Sequence, residues 1–593
     1  MRKTAFSLAL LFAAIALVAA FPNSALAQDD PPGRVARLNY VQGSVSYQVS
    51  GDQNWVQADP NRPLTTGDNL WADKDSRGEV HIGSTAIRMS SETGISFLTL
   101  DDRTTQIQLA QGTIEVHLRI LPSGDAFEID TPNLALTLTH PGEYRVETDP
   151  NGGSTAIVVR EGAVEATGGG ETWNLEPGQQ YNFNGTDQLA YQAVDAPAFD
   201  DFEDWCQSRD QRENNAVSAK YVSRDIDGYY DLDDYGSWES DSDYGEVWVP
   251  SGVAADWTPY QMGDWVFIQP WGWTWVDSEP WGWAPFHYGR WAYVGTHWGW
   301  VPGPVVVRPV YAPAVVGFVG GGFGFSVAFG GGFSGVAWFP LGPRDVFVPG
   351  YRCSPRYFQS INVTNTRIVD VRQVTAVYNT TVVDRDFTHV NYTYANNARA
   401  VTAVSRDTFV SARAVNRDTV RVNADQIRTA RVVDSAPVAP TRGSYVSATA
   451  RVSTAKPSYS FAQHPVVAKL NPAVETQRPA PEYTNDSPEF NQPRNNSNNN
   501  SSANNQQSRD GFRPFTRPAG SNNRPATQTN NRSQSGAVNQ TQNRPAVRYT
   551  QPTKARDDMY DVHPPLNHQE TQSKPAQQQR SQPSHSESNP GKK

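Results

Sequence analysis

No stretch outside the N-terminus holds the about eighteen uninterrupted apolar residues of an ordinary membrane helix, which excludes such a span from the body of the chain. Charge is sparse as well. Charged residues make up 19% of the 593 positions and hydrophobic residues 38%, and the net charge of −11 excludes a whole-chain nucleic-acid binder. Cysteine is almost missing: Cys206 and Cys353 are the only two, and none stands just after the N-terminal leader, which excludes a lipoprotein. From Asn471 to Lys593 there is no Ile, no Trp and one Leu, Leu566, so no core can offset the entropy of ordering that stretch. Glycine (45) and proline (43) are abundant instead, which points to extended, turn-rich structure with an unfolded part and disfavours a compact helical enzyme. At roughly 100 to 200 residues per domain, the length calls for several modules.

Residues 1–27 read as a secretory signal peptide. Arg2 and Lys3 supply the positive start, Ala5 to Phe21 the apolar stretch, and Ala25-Leu26-Ala27 the small-x-small cleavage pattern. The expected setting is therefore outside the cytoplasm: the periplasm, an outer-membrane association or secretion. In that oxidising setting Cys206 and Cys353 can form one disulfide, with two separate thiols as the alternative.

Residues 28–190 form the first module. Short runs with period-two alternation, such as Thr113-Ile-Glu-Val-His-Leu118, Tyr144-Arg-Val-Glu147 and Ala156-Ile-Val-Val159, are split by Gly67-Asp68, Gly112, Asn151-Gly152-Gly153 and Glu161-Gly162. This predicts strands with one buried face, folded as a β-sandwich or β-roll. The ordered succession Leu64-Thr-Thr-Gly67-Asp68, Gln111-Gly112-Thr-Ile-Glu-Val116, Phe127-Glu-Ile-Asp-Thr131-Pro132, Gly142-Glu-Tyr-Arg-Val146, Val159-Arg-Glu161-Gly162 and Leu175-Glu-Pro-Gly178-Gln179 resembles the FecR periplasmic domain. The resemblance covers about residues 35 to 185. It implies a β-rich exported domain that receives a signal from a TonB-dependent receptor, and it implies no catalytic residues. The cytoplasmic part with which that family acts on a sigma factor has no counterpart in this chain.

Residues 191–246 are expected to be an acidic linker. Sixteen Asp and Glu stand against four basic residues between Asp195 and Glu246. Within it Phe202, Trp205 and Cys206, at i, i+3 and i+4, predict one short amphipathic helix whose apolar stripe docks on a neighbour. Asp225, Asp227, Asp231 and Asp233 invite a calcium reading, but Gly228 directly follows the second Asp and breaks the loop pattern, so a solvated acidic linker is the preferred reading.

Residues 247–365 are a Trp/Gly/Pro-rich β-module. Twelve of the seventeen tryptophans fall between Trp238 and Trp300, and Trp257 to Trp265 aligns with Trp283 to Trp291, as Trp271-Gly-Trp273 does with Trp298-Gly-Trp300. Such repeats predict stacked strand units that bury aromatic faces together. Two readings compete for Trp257, Trp265, Trp273, Trp275, Trp283, Trp291 and Trp300. They can form an aromatic surface for sugar rings, or they can replace an aliphatic core, and the packing reading is preferred. Glu246, Asp256, Asp264, Asp277, Glu279, His287, Arg290 and His297 offer polar contacts, yet no spacing singles out an acid–base pair, and the two histidines lack a third ligand signal. No metal and no cofactor is expected. The uncharged run of residues 309–343, rich in Val, Gly and Phe, is read as buried strands with glycine kinks rather than a membrane helix.

Asp231-Leu-Asp-Asp-Tyr-Gly-Ser-Trp238, Tyr244-Gly-Glu-Val-Trp-Val-Pro250, Gly282-Trp-Ala-Pro-Phe286 and Trp338-Phe-Pro-Leu-Gly-Pro343 are similar to an uncharacterised domain family that follows FecR-like domains in exported bacterial proteins. Residues 366–435 are Val-rich and expected to be marginally structured. Residues 436–593 are expected to form a disordered tail, basic in part, with eight Arg against one acid, Asp510, from Asn491 to Thr550. The sequence as a whole is mainly β and reads as a non-enzymatic envelope protein that binds or scaffolds protein or glycan partners, including cell-wall or outer-membrane glycans. The alternatives are a periplasmic signalling component without the sigma-factor arm, and an enzyme on cell-wall polymer.

Overall fold

The computed structural model describes residues 30–320, 326–327, 333–367, 370–387, 390–422, 424–429, 431–457 and 465–473. Residues 1–27, expected to be a signal peptide, and the tail beyond 473 lie outside the described residues. Among the described residues, no helix is long and apolar enough to cross a membrane.

The first module holds β1 (Ala36–Gln42), β2 (Val45–Gln48), β3 (Val56–Gln57), β4 (Pro63–Leu64), β5 (Asn69–Ala72) and β6 (Arg77–Ile82). There follow β7 (Thr85–Met89), β8 (Thr93–Leu100), β9 (Thr104–Leu118), β10 (Ala126–Asp130), β11 (Ala135–Leu138) and β12 (Gly142–Thr148). The last are β13 (Ser154–Glu161), β14 (Val164–Gly168), β15 (Glu171–Leu175), β16 (Gln179–Asn184) and β17 (Ala190–Asp195). One sheet, A, runs β4-β1-β6-β7-β9-β12-β13-β16-β17. The other, B, runs β3-β2-β5-β8-β9-β10-β11-β14-β15, antiparallel except for β9 and β10.

Strand β9 belongs to both sheets: its first half pairs with β8 and β10, its second with β7 and β12. It turns at Gly112, whose φ of 90° suits glycine, and a Cβ there would lie 2.5 Å from the Thr93 backbone. The period-two pattern does what it predicts. Ile114, Val116, Tyr144, Val146, Ile157 and Val159 fill the space between the sheets, while Glu115, His117, Arg145 and Arg160 point outward.

Helix α1 (Asp201–Asn215) follows, capped by the Asp200 carboxylate, which accepts from the backbone N–H of Phe202 and Glu203. The second module then builds β18 (Gly236–Asp241), β19 (Gly245–Pro250), β20 (Gly263–Ile268), β21 (Gly272–Asp277), β22 (Arg290–Val294) and β23 (His297–Val301). Its remaining strands are β24 (Val316–Gly320), β25 (Ser326–Val327), β26 (Phe333–Pro340), β27 (Thr402–Ser405) and β28 (Arg431–Val433). The sequence repeat is a structural repeat. Hairpins β20–β21 and β22–β23 each place one tryptophan opposite another in the strand register, Trp265 opposite Trp275 with the rings edge to face, and Trp291 opposite Trp300.

The Val-rich stretch differs from its expected marginal state. Strands β27 and β28 add to β26 and β24, and Phe409 is buried with its ring 4.5 Å from that of Trp273. Local sequence alone could not show this, because the burial comes from the Trp-rich module it joins. Beyond the boundary at 435, residues 451–455 return to the first module. Gln57 donates to the Arg451 carbonyl and Ser453 to the Trp55 carbonyl, which extends sheet B beyond β3.

Candidate functional site

The seven tryptophans singled out by sequence do not form a surface. Trp265, Trp273, Trp275, Trp283, Trp291 and Trp300 are buried, and Trp257 is half-buried with its ring 5.4 Å from that of Trp291. The aromatic binding platform is therefore corrected to a core. Strand alternation does put indoles on one face, but Phe318, Trp338 and Phe409 cover it, with rings 5.2, 5.4 and 5.5 Å from Trp265. Glycine permits the closeness: Gly289, at φ 67°, backs onto the Trp300 indole, and a Cβ would stand 2.3 Å from its Nε1.

The polar candidates are likewise scattered. His287 is buried 4.5 Å from the Trp283 ring with Nδ1 2.8 Å from the Ala312 carbonyl oxygen, and burial lowers its pKa to about 3, which keeps it neutral. Asp277 accepts from the Trp275 indole N–H at 2.8 Å and from the Glu279 backbone, and burial pushes its carboxyl well up. Arg290 is buried and donates to Asn362 and to the carbonyls of Gly289 and Asp345. His297 faces Glu239 at 3.6 Å, Glu246 accepts from Ser240, and Asp256 is exposed. No acid–base pair assembles from these residues. Of the two alternatives for the cysteines, the structure has separate thiols: Cys206 is a buried free thiol on α1, and Cys353 a half-buried free thiol beside Val346, Phe358 and Val374.

The middle of the acidic segment is not a solvated linker. From α1 to Asp231 it lies on the outer face of sheet A, which carries Arg37, Arg88, Arg119, Arg145 and Arg160. Glu203 accepts from Arg145 and Arg160, Asp210 from Arg88, and Glu213 from Arg88 and Arg119. In return Arg209 donates to Glu79. Phe202 and Cys206 are buried as the helical stripe predicts, and Trp205 is half-exposed. The aspartates after α1 complete the seam. Asp227 lies 3.5 Å from Arg37 and 3.2 Å from His81, and Asp231 bridges Arg37 and Arg212. Burial alone would lower the His81 pKa, but Asp227, Glu213 and Glu79 outweigh it and raise the value to about 10, so the imidazole is a cation of this network.

Glu79, His81 and Glu213 lie close enough to share a metal ion, as do His117, Glu143 and Asp210. Arg88, Arg119 and Arg209 already supply the positive charge there, so these donors do not suit a cation.

Between the two modules lies a cleft of about 500 Å³, lined among others by Arg37, Arg62, Arg212, Asp59, Asp264 and Ser447. Arg62 stacks over Tyr47 at 4.6 Å and donates to the Tyr445 carbonyl. Asp264 is the unbalanced group: its Oδ2 is buried with no hydrogen-bond partner. Burial raises its pKa to about 7 from 3.8, partly offset by Ser447. The folded chain thus binds one more proton here than the unfolded chain between those two values. The stability this carboxyl contributes is full below about pH 4 and falls as pH rises to about 7. Asp264→Asn is expected to flatten that decline in unfolding free energy measured against pH. An undiminished slope would assign the decline to other groups.

An aromatic group remains open at the far end of the first module. Among the described residues strand β17 pairs only with β16, every one of its residues is exposed, and Tyr191 is 51% exposed. The Tyr191 ring stacks at 5.4 Å on the buried Phe183 and lies 5.8 Å from Trp173 on β15, which among the described residues pairs only with β14. Val194, on the opposite face of the strand, and Phe199, beneath Arg160, are exposed as well. No signal in the sequence marks this edge, because which strand stays unpaired is decided by the sheet order.

Residues 68–165 match the family described as FecR protein, and residues 229–345 match a family of unknown function, DUF6600. No curated protein matches the chain. Two crystal structures, at 2.50 and 1.65 Å, of a protein described provisionally as an anti-sigma factor from Parabacteroides distasonis share 17% and 16% identity with it. Each has a TM-score of 0.20 and covers 22% of this chain and 60% of its own.

Proposed function

We propose that this is a non-enzymatic, exported envelope protein whose FecR-like module binds a protein partner, with the Trp-rich module as its structural support. The observation that carries this reading is the exposed β17 edge with the Tyr191 and Trp173 rings beside it, over the buried Phe183. An open strand edge offers unpaired backbone N–H and C=O groups, and the exposed parts of these two rings offer apolar area for a partner strand. The tryptophans first considered for glycan binding are occupied in packing, so the protein-partner reading is preferred over a glycan platform. The match of residues 68–165 to FecR supports a signalling role as the second reading, with a receptor as the partner class.

The test is a pull-down from envelope extract with the full chain and its Tyr191→Glu/Val194→Glu variant. These side chains are exposed, so the midpoint of thermal unfolding is expected to stay within about 1 °C of the parent's, since surface changes cost at most about 0.5 kcal/mol. Retained protein is expected to drop at least several-fold. Equal retention by the two proteins would refute the edge as the binding surface.

A further inference from the structure

The outer face of sheet B is occupied by a distant part of the same chain. Residues 465–473, Pro-Val-Val-Ala-Lys-Leu-Asn-Pro-Ala, cross it with a bend at Lys469 and Leu470. Val467 donates its backbone N–H to the Thr131 carbonyl at 3.0 Å. The backbone N–H groups of Lys469 and Leu470 both donate to Glu128 Oε1, at 3.0 and 2.8 Å. Gln106 Nε2 donates to the Leu470 carbonyl at 3.2 Å, and the Ala473 N–H donates to Thr99 Oγ1 at 2.9 Å.

All five bonds engage the main chain of the segment. Side-chain selection comes from two places. Ala468 is buried, 2% exposed, and Lys469 pairs with Glu165. The floor of the groove is made of groups that sheet pairing does not use. Gln106, Glu128 and Asp130 are fully buried, and Gln106 links the two acids, donating to Asp130 Oδ2 at 2.8 Å and to Glu128 Oε1 at 3.3 Å. Polar side chains on an outward sheet face would ordinarily face water. Here they are turned to the backbone of a bent segment, whose successive N–H groups at Lys469 and Leu470 converge on one Glu128 oxygen.

We infer that this face is a peptide-binding groove, filled in cis by residues 465–473, for a protein segment that bends at a small residue followed by a basic one. The bonds to main chain give affinity for any segment that can take this bend, while the buried Ala468 position and Glu165 set which segments fit. The resident segment is tethered, so it competes at an effective concentration on the order of millimolar and holds the groove against weaker entrants. A partner segment gains entry when it binds more tightly or when the resident segment is drawn away. This goes beyond the proposed β17 surface and uses none of its residues.

The test uses the full chain and a fluorescent nine-residue peptide with the sequence of residues 465–473. The variant Ala468→Trp/Leu470→Pro puts a large side chain at the buried position and removes one N–H, which expels the resident segment and leaves the groove intact. Fluorescence anisotropy is expected to show the peptide binding this variant at least about tenfold more tightly than the parent. Adding Glu128→Ala should abolish that gain, and a peptide with Glu in place of Lys469 should bind several-fold more weakly. Equal binding by parent and variant, or a gain that survives Glu128→Ala, overturns the proposal. A second measurement needs no substitution. Saturating peptide added to the unaltered chain should speed hydrogen exchange at the Lys469 and Leu470 amides, and unchanged exchange overturns the proposal as well. Neither measurement involves an envelope partner, so a negative result here is distinct from failure of the β17 pull-down.

Discussion

Replacing Trp265 by alanine is expected to cost about 3–5 kcal/mol of stability, the range for emptying a large aromatic from a close-packed core. Trp265 is 1% exposed and its ring lies within 5.5 Å of the rings of Trp275, Phe318, Trp338 and Phe409. The lost area alone is worth less than this. The rest is the cavity that interlocked rings cannot close, because each is held by several others. Trp257→Ala is the control. It is half-buried and is expected to cost clearly less. Denaturant unfolding followed by far-UV circular dichroism separates the two. If both substitutions leave stability alike while glycan retention falls, the tryptophans would be a binding platform after all.

Arg88→Leu is expected to be as damaging, for an electrostatic reason. The guanidinium is fully buried and bonds to Glu79 at 2.8 Å, Asp210 at 2.8 Å and Glu213 at 3.3 Å. Burial by itself disfavours the charge, and the carboxylates outweigh that and raise its pKa well above the usual arginine value. Removing the cation leaves several acids out of water with less compensation, a loss of about 3–5 kcal/mol for a buried pair broken on one side. Arg209 and His81 remain to neutralise part of the excess, so the lower end of that range is expected. The signature is a pH effect. Glu79, Asp210 and Asp227 all have lowered pKa values, so in the parent their stabilisation is present at neutral pH and lost as pH falls through the acid range. In Arg88→Leu the loss should be greatest near neutral pH and shrink on mild acidification, as Glu79 and Asp210 become easier to protonate. A uniform loss at all pH values would instead mark a packing defect.

The β-architecture was legible because its cause is local. Alternation such as Thr113-Ile-Glu-Val-His-Leu118 determines which side chains face the core, and Gly112 marks the turn of a strand shared between sheets. The Trp-Gly-Trp repeat was legible for the same reason. The acidic run was misread because charge was weighed within its own segment, where like signs imply solvation. Its partners Arg37, Arg88, Arg145 and Arg160 lie up to 194 positions away, on strand faces that look solvent-exposed by period. The return of residues 451–455 and 465–473 was hidden for a related reason. A segment that binds through its own N–H and C=O groups leaves almost no trace in side-chain composition.

The seam between α1 and sheet A also bears on inheritance. The segment that matches FecR ends at Glu165 and the segment that matches the second family starts at Tyr229, yet Arg37, before both, is bonded to Asp231, and Arg88 is bonded to residues between them. A gene fusion that joined the two segments alone would carry Glu79, His81 and Arg88 without Arg209, Asp210 or Glu213. The stretch from 166 to 228 is thus not a spacer of free length. Insertions or deletions there would shift α1 off its counter-charges, so among related chains this stretch should keep its length while surface loops elsewhere vary.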